Sequence, residues 1–124
     1  MTKEQRQVQE FMRLAGQEVK ARPALAPVEV ANLRLRLIEE EATELSEAMA
    51  AGDLVEIADA VGDLLYVVLG AASAYGIDLE PVFQEIHRSN LSKFIDGHRR
   101  PGGKWQKGPR YSPANLEPIL AAQG

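Results

Sequence analysis

Between Leu37 and Asp63 the chain reads LIEEEATELSEAMAAGDLVEIADAVGD, which places a concentration of carboxylates inside text that otherwise has the spacing of buried helix. Nine of the 18 acidic residues lie between Glu39 and Asp63, and no Lys or Arg occurs from Leu37 to His87. A carboxylate held in an apolar setting without a partner is unfavourable by several kcal/mol or takes up a proton, so several together require a cation. A ligand set made only of carboxylate oxygens suits a hard divalent ion, Mg²⁺ first and Mn²⁺ after it. Glu-rich helices are more often solvated faces, but such faces mix signs to gain i,i+4 pairs, and this one does not.

Two helices must carry these acids. At ~100° per residue, Ile38, Ala42, Leu45 and Met49 fall on one apolar stripe, expected to face the core. Leu37, Glu41, Glu44 and Ala48 form the strip beside it, with Glu40 at its outer edge and Arg34 near the Glu41 side, where it is expected to pair or to reach a phosphate. In the second segment Glu56, Asp59 and Asp63 are spaced i, i+3, i+7 and lie within roughly 60° of arc, a sector shared with Ala60, Val67 and Gly70. A short turn at Ala51-Gly52-Asp53 makes the helices antiparallel, so the two acidic faces can meet.

The flanking text completes an all-α chain. A first helix is expected from Thr2, its cap, to about Lys20, followed by a connector at 21–27 that Pro23 and Pro27 keep out of helix. Helix two is expected from Val28 to Ala50, and helix three from Asp53 to Tyr75, central because its lower half is apolar nearly all round. Gly62 and Gly70 inside it mark close helix approach or space for a ligand. Asp78 caps a fourth helix from Leu79 to about Ile95. After Asp96, GHRRPGGKWQKGPRYSPANLEP reads as an irregular basic arm, in which Trp105 and Tyr111 imply packing.

With 124 residues, 45% of them hydrophobic, the expectation is a single domain over 1–124, with core helices at about 28–96 and the arm at 97–124. The absence of Cys removes disulfides, thiolate catalysis and Cys-based zinc sites. The charged N-terminus is unlike a signal peptide and no segment approaches the ~20 apolar residues of a membrane span, so the cytoplasm is the expected location. Seven of the 14 Lys and Arg lie between Arg88 and Arg110 beside one acid, Asp96. An acidic middle and a basic end suit a metal-chelated polyanion such as a nucleoside triphosphate.

The run LRLRLIEEEATEL followed by EIADAVGDLLYVV, then GIDLEPVFQEIHRSNLSKF and GGKWQKGPRYSP, resembles the MazG-like all-α nucleoside triphosphate pyrophosphohydrolases, in the bacterial branch related to phosphoribosyl-ATP pyrophosphohydrolase and to dUTP-hydrolysing enzymes. The resemblance spans about Leu33 to Pro113. It implies a four-helix-bundle-like fold, Mg²⁺-dependent hydrolysis of an NTP or dNTP to the monophosphate and pyrophosphate, and assembly into a homodimer or homotetramer. The family pattern places its acids at Glu40, Glu41 and Glu44, while Glu56, Asp59 and Asp63 fit its second half in more than one alignment because Ala60 stands where an acid is expected. Asn90 and Lys93 match polar positions on the last helix.

The roles expected on this footing are Glu41, Glu44, Glu56, Asp59 and Asp63 as metal ligands and Glu40 as the base on the attacking water. Arg34, Asn90, Lys93, Lys104, Lys107, Arg110 and Tyr111 are the expected substrate contacts, with the basic arm ordering over bound triphosphate. Trp105, Tyr66, Tyr75, Tyr111 or a neighbouring subunit remain open as the surface on which a base stacks. No Ser/His/Asp set or P-loop is present, and Glu85 and His87 do not have the ExxH spacing of di-iron bundles. The expected partners are a nucleotide and further copies of the chain, with neither membrane nor nucleic acid. Two rivals stand beside this reading: phosphoribosyl-ATP pyrophosphohydrolase itself, and a non-catalytic helical module whose acidic face binds a basic partner.

Overall fold

In the computed structural model, which describes residues 1–124, the chain is all-α apart from one two-residue hairpin. Five helices follow in order: α1 (Lys3–Leu14), α2 (Val28–Ala51), α3 (Leu54–Ala74), α4 (Leu79–Ser92) and α5 (Glu117–Gln123); β1 (His98–Arg99) and β2 (Trp105–Gln106) lie between the last two. The chain divides into two compact units, residues 1–79 and 80–124. The division falls at the start of α4, whereas the change in composition falls at the start of the basic arm.

In the first unit α3 packs against both α2 and α1. Asp53 caps α3 by accepting from the backbone N–H groups of Val55 (3.1 Å) and Glu56 (3.2 Å), and Gly52, at φ 66°, ends α2 in the left-handed conformation that a β-carbon disfavours. These two residues set the reversal that makes α2 and α3 antiparallel. Thr2 Oγ1 caps α1 at the Gln5 N–H (3.2 Å). The helix stops at Leu14, short of Lys20, because Gly16 turns left-handed (φ 75°) and the Gln17 N–H closes back on the Met12 carbonyl (2.8 Å). The segment beyond is tied to the end of α3: Lys20 N–H donates to Ser73 O (3.2 Å) and Ala24 N–H to Tyr75 O (3.0 Å).

The core begins earlier in the chain than composition implies. Val8 and Met12 of α1 join Leu69 and Ala74 of α3, with Val19, Val30, Tyr75 and Leu79 packed around them. Beside this apolar cluster lies a buried polar one. Gln5 donates to Ile77 O (2.8 Å) and Ser73 Oγ (3.3 Å) and accepts from Leu79 N–H (3.0 Å), and Gln9 also donates to Ser73 Oγ (3.3 Å). Each partner satisfies another, so none carries an unpaid desolvation.

The second unit is less irregular than its sequence. Helix α4 ends at Ser92 and not at Ile95; Lys93, Phe94 and Ile95 continue as tight turns, and Asp96 adopts φ 59°. Strands β1 and β2 pair antiparallel, His98 opposite Gln106 and Arg99 opposite Trp105. Trp105 is the anchor: its ring lies 4.9 Å from that of Phe94 and its Nε1–H donates to Lys93 O (2.8 Å). Arg88 grips the Glu85 carboxylate (2.7 and 2.9 Å) and also reaches Pro113 O (3.2 Å), which holds the following chain on α4. No helix is long and apolar enough to cross a membrane.

Candidate metal centre and adjoining slot

An antiparallel helix pair brings together residues equally distant from its turn. Counting from Gly52, Glu41 is matched with Asp63, Leu37 with Val67 and Arg34 with Gly70. The structure follows this register. Glu41, Glu44 and Asp63 converge, each offering a carboxylate oxygen within 4.8 Å of the others, with Glu41 half-buried and the other two exposed. Asp59, a turn nearer the reversal, and Glu56, nearer still, are exposed and outside this group. Glu40 faces outward, 3.8 Å from Arg36.

The electrostatics of the cluster are those of an unneutralised site. Oε2 of Glu41 is buried with no hydrogen-bond partner. Burial first, then the charge and hydrogen bond of Glu44, then the charges of Asp63 and Glu40, push the Glu41 carboxyl above its ordinary value. Ion pairs are made elsewhere, among them Lys20 with Glu18, Arg36 with Glu40, Arg88 with Glu85 and Arg110 with Asp96. An orphaned buried oxygen in an all-carboxylate donor set fits a hard divalent cation. Glu41, Glu44 and Asp63 are the residues that would hold it.

The helix packing departs from the expected wheel. Ile38 and Leu45 are half-buried, Ala42 is exposed and Met49 is 57% exposed, whereas Arg34 and Ala48 are buried. The strip bearing Glu41, and not the most apolar stripe, faces the interior of this unit. On α3 the same holds: Ala60, Gly70, Ser73 and Ala74 are buried while Val61, Leu65 and Val68 are exposed.

Running from the acids toward Arg34 is a slot of about 390 Å³ between α1, α2 and α3. Its floor consists of the three helix rungs, and Phe11 and Tyr66 form an edge-to-face pair on it (centroids 5.7 Å apart). Arg34 does not pair with Glu41. Arg34 as a whole residue is 6% exposed; its guanidinium donates from Nη2 to Gln17 Oε1 (2.8 Å), Nε is buried without a partner, and burial lowers its pKa. Phe11 and Gln17 were not legible as site residues, since both lie outside the acidic helices and only the turn after α1 brings Gln17 to Arg34.

The basic residues of the second unit form their own group. Lys107 Nζ lies 4.4 Å and Lys93 Nζ 5.9 Å from the centroid of the Tyr111 ring. Ser89 donates to the Tyr111 hydroxyl (3.5 Å), and that bond, aided by Lys107 and Lys93, lowers the phenol pKa. Arg110 is engaged by Asp96 through two hydrogen bonds (2.6 and 3.0 Å). Asn90 and Lys104 are exposed. Trp105 is occupied by Phe94, and Tyr75 packs on the core of the first unit.

An all-α chain with a convergent trio of carboxylates on an antiparallel helix pair is the pattern of the MazG-like nucleoside triphosphate pyrophosphohydrolases. The chain belongs to the phosphoribosyl-ATP pyrophosphohydrolase family within that superfamily, whose sequence profile matches residues 8–90. A stretch of 48 residues, 39% of the chain, is 52% identical to an uncharacterized protein of Acanthamoeba polyphaga mimivirus. That stretch covers 19% of the viral protein, so the match spans about a fifth of its length.

Proposed function

We propose that the chain hydrolyses a nucleoside or deoxynucleoside triphosphate to the monophosphate and pyrophosphate with Mg²⁺ as the metal. The observation that carries this reading is the convergence of Glu41, Glu44 and Asp63 around a buried, unpartnered carboxylate oxygen. When bound there, a divalent ion supplies charge neutralisation at phosphate oxygens and acidifies water. Glu41, Glu44 and Asp63 would hold that ion. Glu40, beside Glu41 on α2, is the proposed base that takes the proton of the water attacking the α phosphorus, as the bond from that phosphorus to the α,β-bridging oxygen breaks and this oxygen leaves on pyrophosphate. Lys93 and Lys107, grouped on Tyr111, are proposed donors to phosphate oxygens.

The family match favours a second reading, in which phosphoribosyl-ATP is the substrate of the same site. One experiment separates the two. The protein is incubated with Mg²⁺ and a panel comprising the common NTPs and dNTPs and phosphoribosyl-ATP, and pyrophosphate is measured with and without EDTA. Metal-dependent release from triphosphates supports the first reading, and release confined to phosphoribosyl-ATP supports the second. No release from any member overturns both.

A further inference from the structure

The net charge of −4 belongs to the chain as a whole, and the second unit by itself has the opposite sign: residues 80–124 carry seven Lys and Arg against four acids. Two of those acids are engaged, Glu85 by Arg88 and Asp96 by Arg110, and Lys93 and Lys107 gather on Tyr111. Arg99, Arg100 and Lys104 remain, all exposed, all on the hairpin of β1 and β2, and none in an ion pair. The hairpin is held in shape. Trp105 fastens it to the end of α4 through Lys93 O and the Phe94 ring, and a β-carbon at Gly97 would collide with Trp105 Nε1 and Lys93 O, so only glycine lets the chain lie this close. At the tip Arg100 N–H donates to Lys104 O (2.8 Å) and Gly103 N–H to Arg100 O (3.0 Å), closing a loop in which Gly102 and Gly103 take φ 92° and 90°. With His98 opposite Gln106 and Arg99 opposite Trp105, Arg100 stands opposite Lys104. Side chains alternate along a strand, which puts His98, Arg100, Lys104 and Gln106 on one face without an apolar residue, while Trp105 turns the other face onto Phe94.

We propose that this hairpin is a docking surface for the phosphodiester backbone of double-stranded nucleic acid, separate from the hydrolytic site. The inference goes beyond the hydrolase reading and does not rest on it. Charge supply decides against the nucleotide as the hairpin's ligand. A triphosphate chelated to a divalent ion retains only a small negative charge, for which Lys93 and Lys107 suffice. The chemistry of the face decides which polyanion it fits. A membrane surface is held by apolar insertion and a single strand by stacking on aromatic rings, and the one Trp on the hairpin is occupied by Phe94. A duplex asks for neither. It presents one charge per about 1.7 Å of axis and is bound, without reading bases, by Lys and Arg that neutralise phosphates. Arg99 and Arg100 supply guanidinium forks that meet two phosphate oxygens at once, and His98 and Gln106 add hydrogen-bonding groups on the face of Arg100 and Lys104. A hairpin already fixed in shape loses little conformational freedom on binding. Binding of this kind is weak, dependent on salt and indifferent to sequence, and it keeps the enzyme at nucleic acid without changing what it hydrolyses.

The test is fluorescence anisotropy of a labelled duplex of about 20 base pairs, as DNA and as RNA, with the intact chain in EDTA, which removes any metal bridge between the acids of the first unit and phosphate. Saturable binding of either duplex supports the proposal, and the tighter one names the source. Three phosphate contacts give a slope of about −2.7 in log affinity against log salt, so affinity should fall about 40-fold between about 50 and 200 mM KCl. Arg99→Gln with Arg100→Gln should bring the slope to about −1 and weaken binding at the lower salt by about 10-fold or more, whereas Arg99→Lys with Arg100→Lys, which keeps the charge, should retain the wild-type slope. A duplex of unrelated sequence should bind within about threefold of the first. The Gln variant should release pyrophosphate from triphosphates at the wild-type rate, since Lys93, Lys107 and the carboxylates are untouched. No binding at the lower salt, an unchanged slope in the Gln variant, tighter binding of the single strand, or displacement by polyglutamate as effective as by unlabelled duplex would each overturn the proposal. Loss of hydrolysis in the Gln variant would do so too, by returning the hairpin to the substrate. Hydrolysis without duplex binding sinks the hairpin proposal alone, and duplex binding without hydrolysis by the wild type sinks the hydrolase reading alone.

Discussion

Glu41 carries the tension of this protein in a single side chain. Its carboxyl is half-buried, one oxygen has no partner, and the neighbouring charges are all of its own sign. Glu41→Gln removes the repulsion and keeps the shape, so it should raise the stability of the metal-free protein by about 0.5–1 kcal/mol. The same substitution, or Glu44→Gln, should lower pyrophosphate release at saturating Mg²⁺ by about 100-fold or more. Retained activity in either variant, in the pyrophosphate-release assay, would remove that side chain from the site. Glu85 has the opposite environment: its hydrogen bond to Arg88, then that from the Asn115 N–H, take its pKa down to about 2 from 4.5. A carboxyl lowered on folding stabilises the native state above its unfolded value and loses that contribution as pH falls through the folded one. The acid limb of the unfolding curve should therefore fall between pH 4.5 and about 2, and Glu85→Gln should flatten it in that window. Asp96, lowered by Arg110, contributes with the same sign.

At the scale of elements, the two left-handed glycines that end α2 and α3 separate conformational strain from collision. Gly52, at φ 66°, has nothing within 4 Å of where a β-carbon would stand. Gly52→Ala should destabilise by roughly 1–2 kcal/mol, the strain of the left-handed conformation alone. Gly76, at φ 69°, has the Arg22 carbonyl in the way. Gly76→Ala must also push the connector off the end of α3 and break the Lys20–Ser73 and Ala24–Tyr75 backbone bonds, so its loss should be the larger of the two in chemical denaturation. Comparable losses would mean that the connector yields freely. Gly52→Ala, by contrast, acts only on the reversal between α2 and α3.

For the whole molecule the exposed apolar surface asks for a partner. Met49 on α2 and Leu54, Val55, Val61 and Leu65 on α3 are each about half exposed or more, with Leu54 at 78%. Two long helices with apolar outer faces are the ordinary substance of an interface between copies of one chain. The protein should scatter light as a dimer or tetramer at micromolar concentration, and Leu65→Glu should shift it toward monomer; a monomeric wild type would remove this expectation. Metal should act on the same global equilibrium. Mg²⁺ at about 100 times its dissociation constant adds about 2.7 kcal/mol if it binds only the native state, read as a rise in melting temperature that Glu44→Gln abolishes.

The local chemistry was carried by the sequence alone. Helix periodicity, the Asp53 cap, the stops at Gly52 and Gly76 and the unmixed sign of the acids all act over a few residues, and each is visible in the order of letters. The equidistance rule about Gly52 was legible too: it pairs Glu41 with Asp63 and Arg34 with Gly70 without any coordinates. What periodicity could not supply was which face of α2 turns inward. The more apolar stripe through Ile38 and Met49 remains partly in solvent, and the strip holding Arg34, Glu41 and Ala48 is packed, because a helix orients to everything it touches and the pattern along one helix does not include its neighbours. Only the tertiary structure decided that α1 belongs to the core, that Ser73 ties Gln5 to Gln9, and that Gln17 reaches Arg34 across a turn. These contacts join residues far apart in sequence, and no pattern within a helix encodes the partner on another.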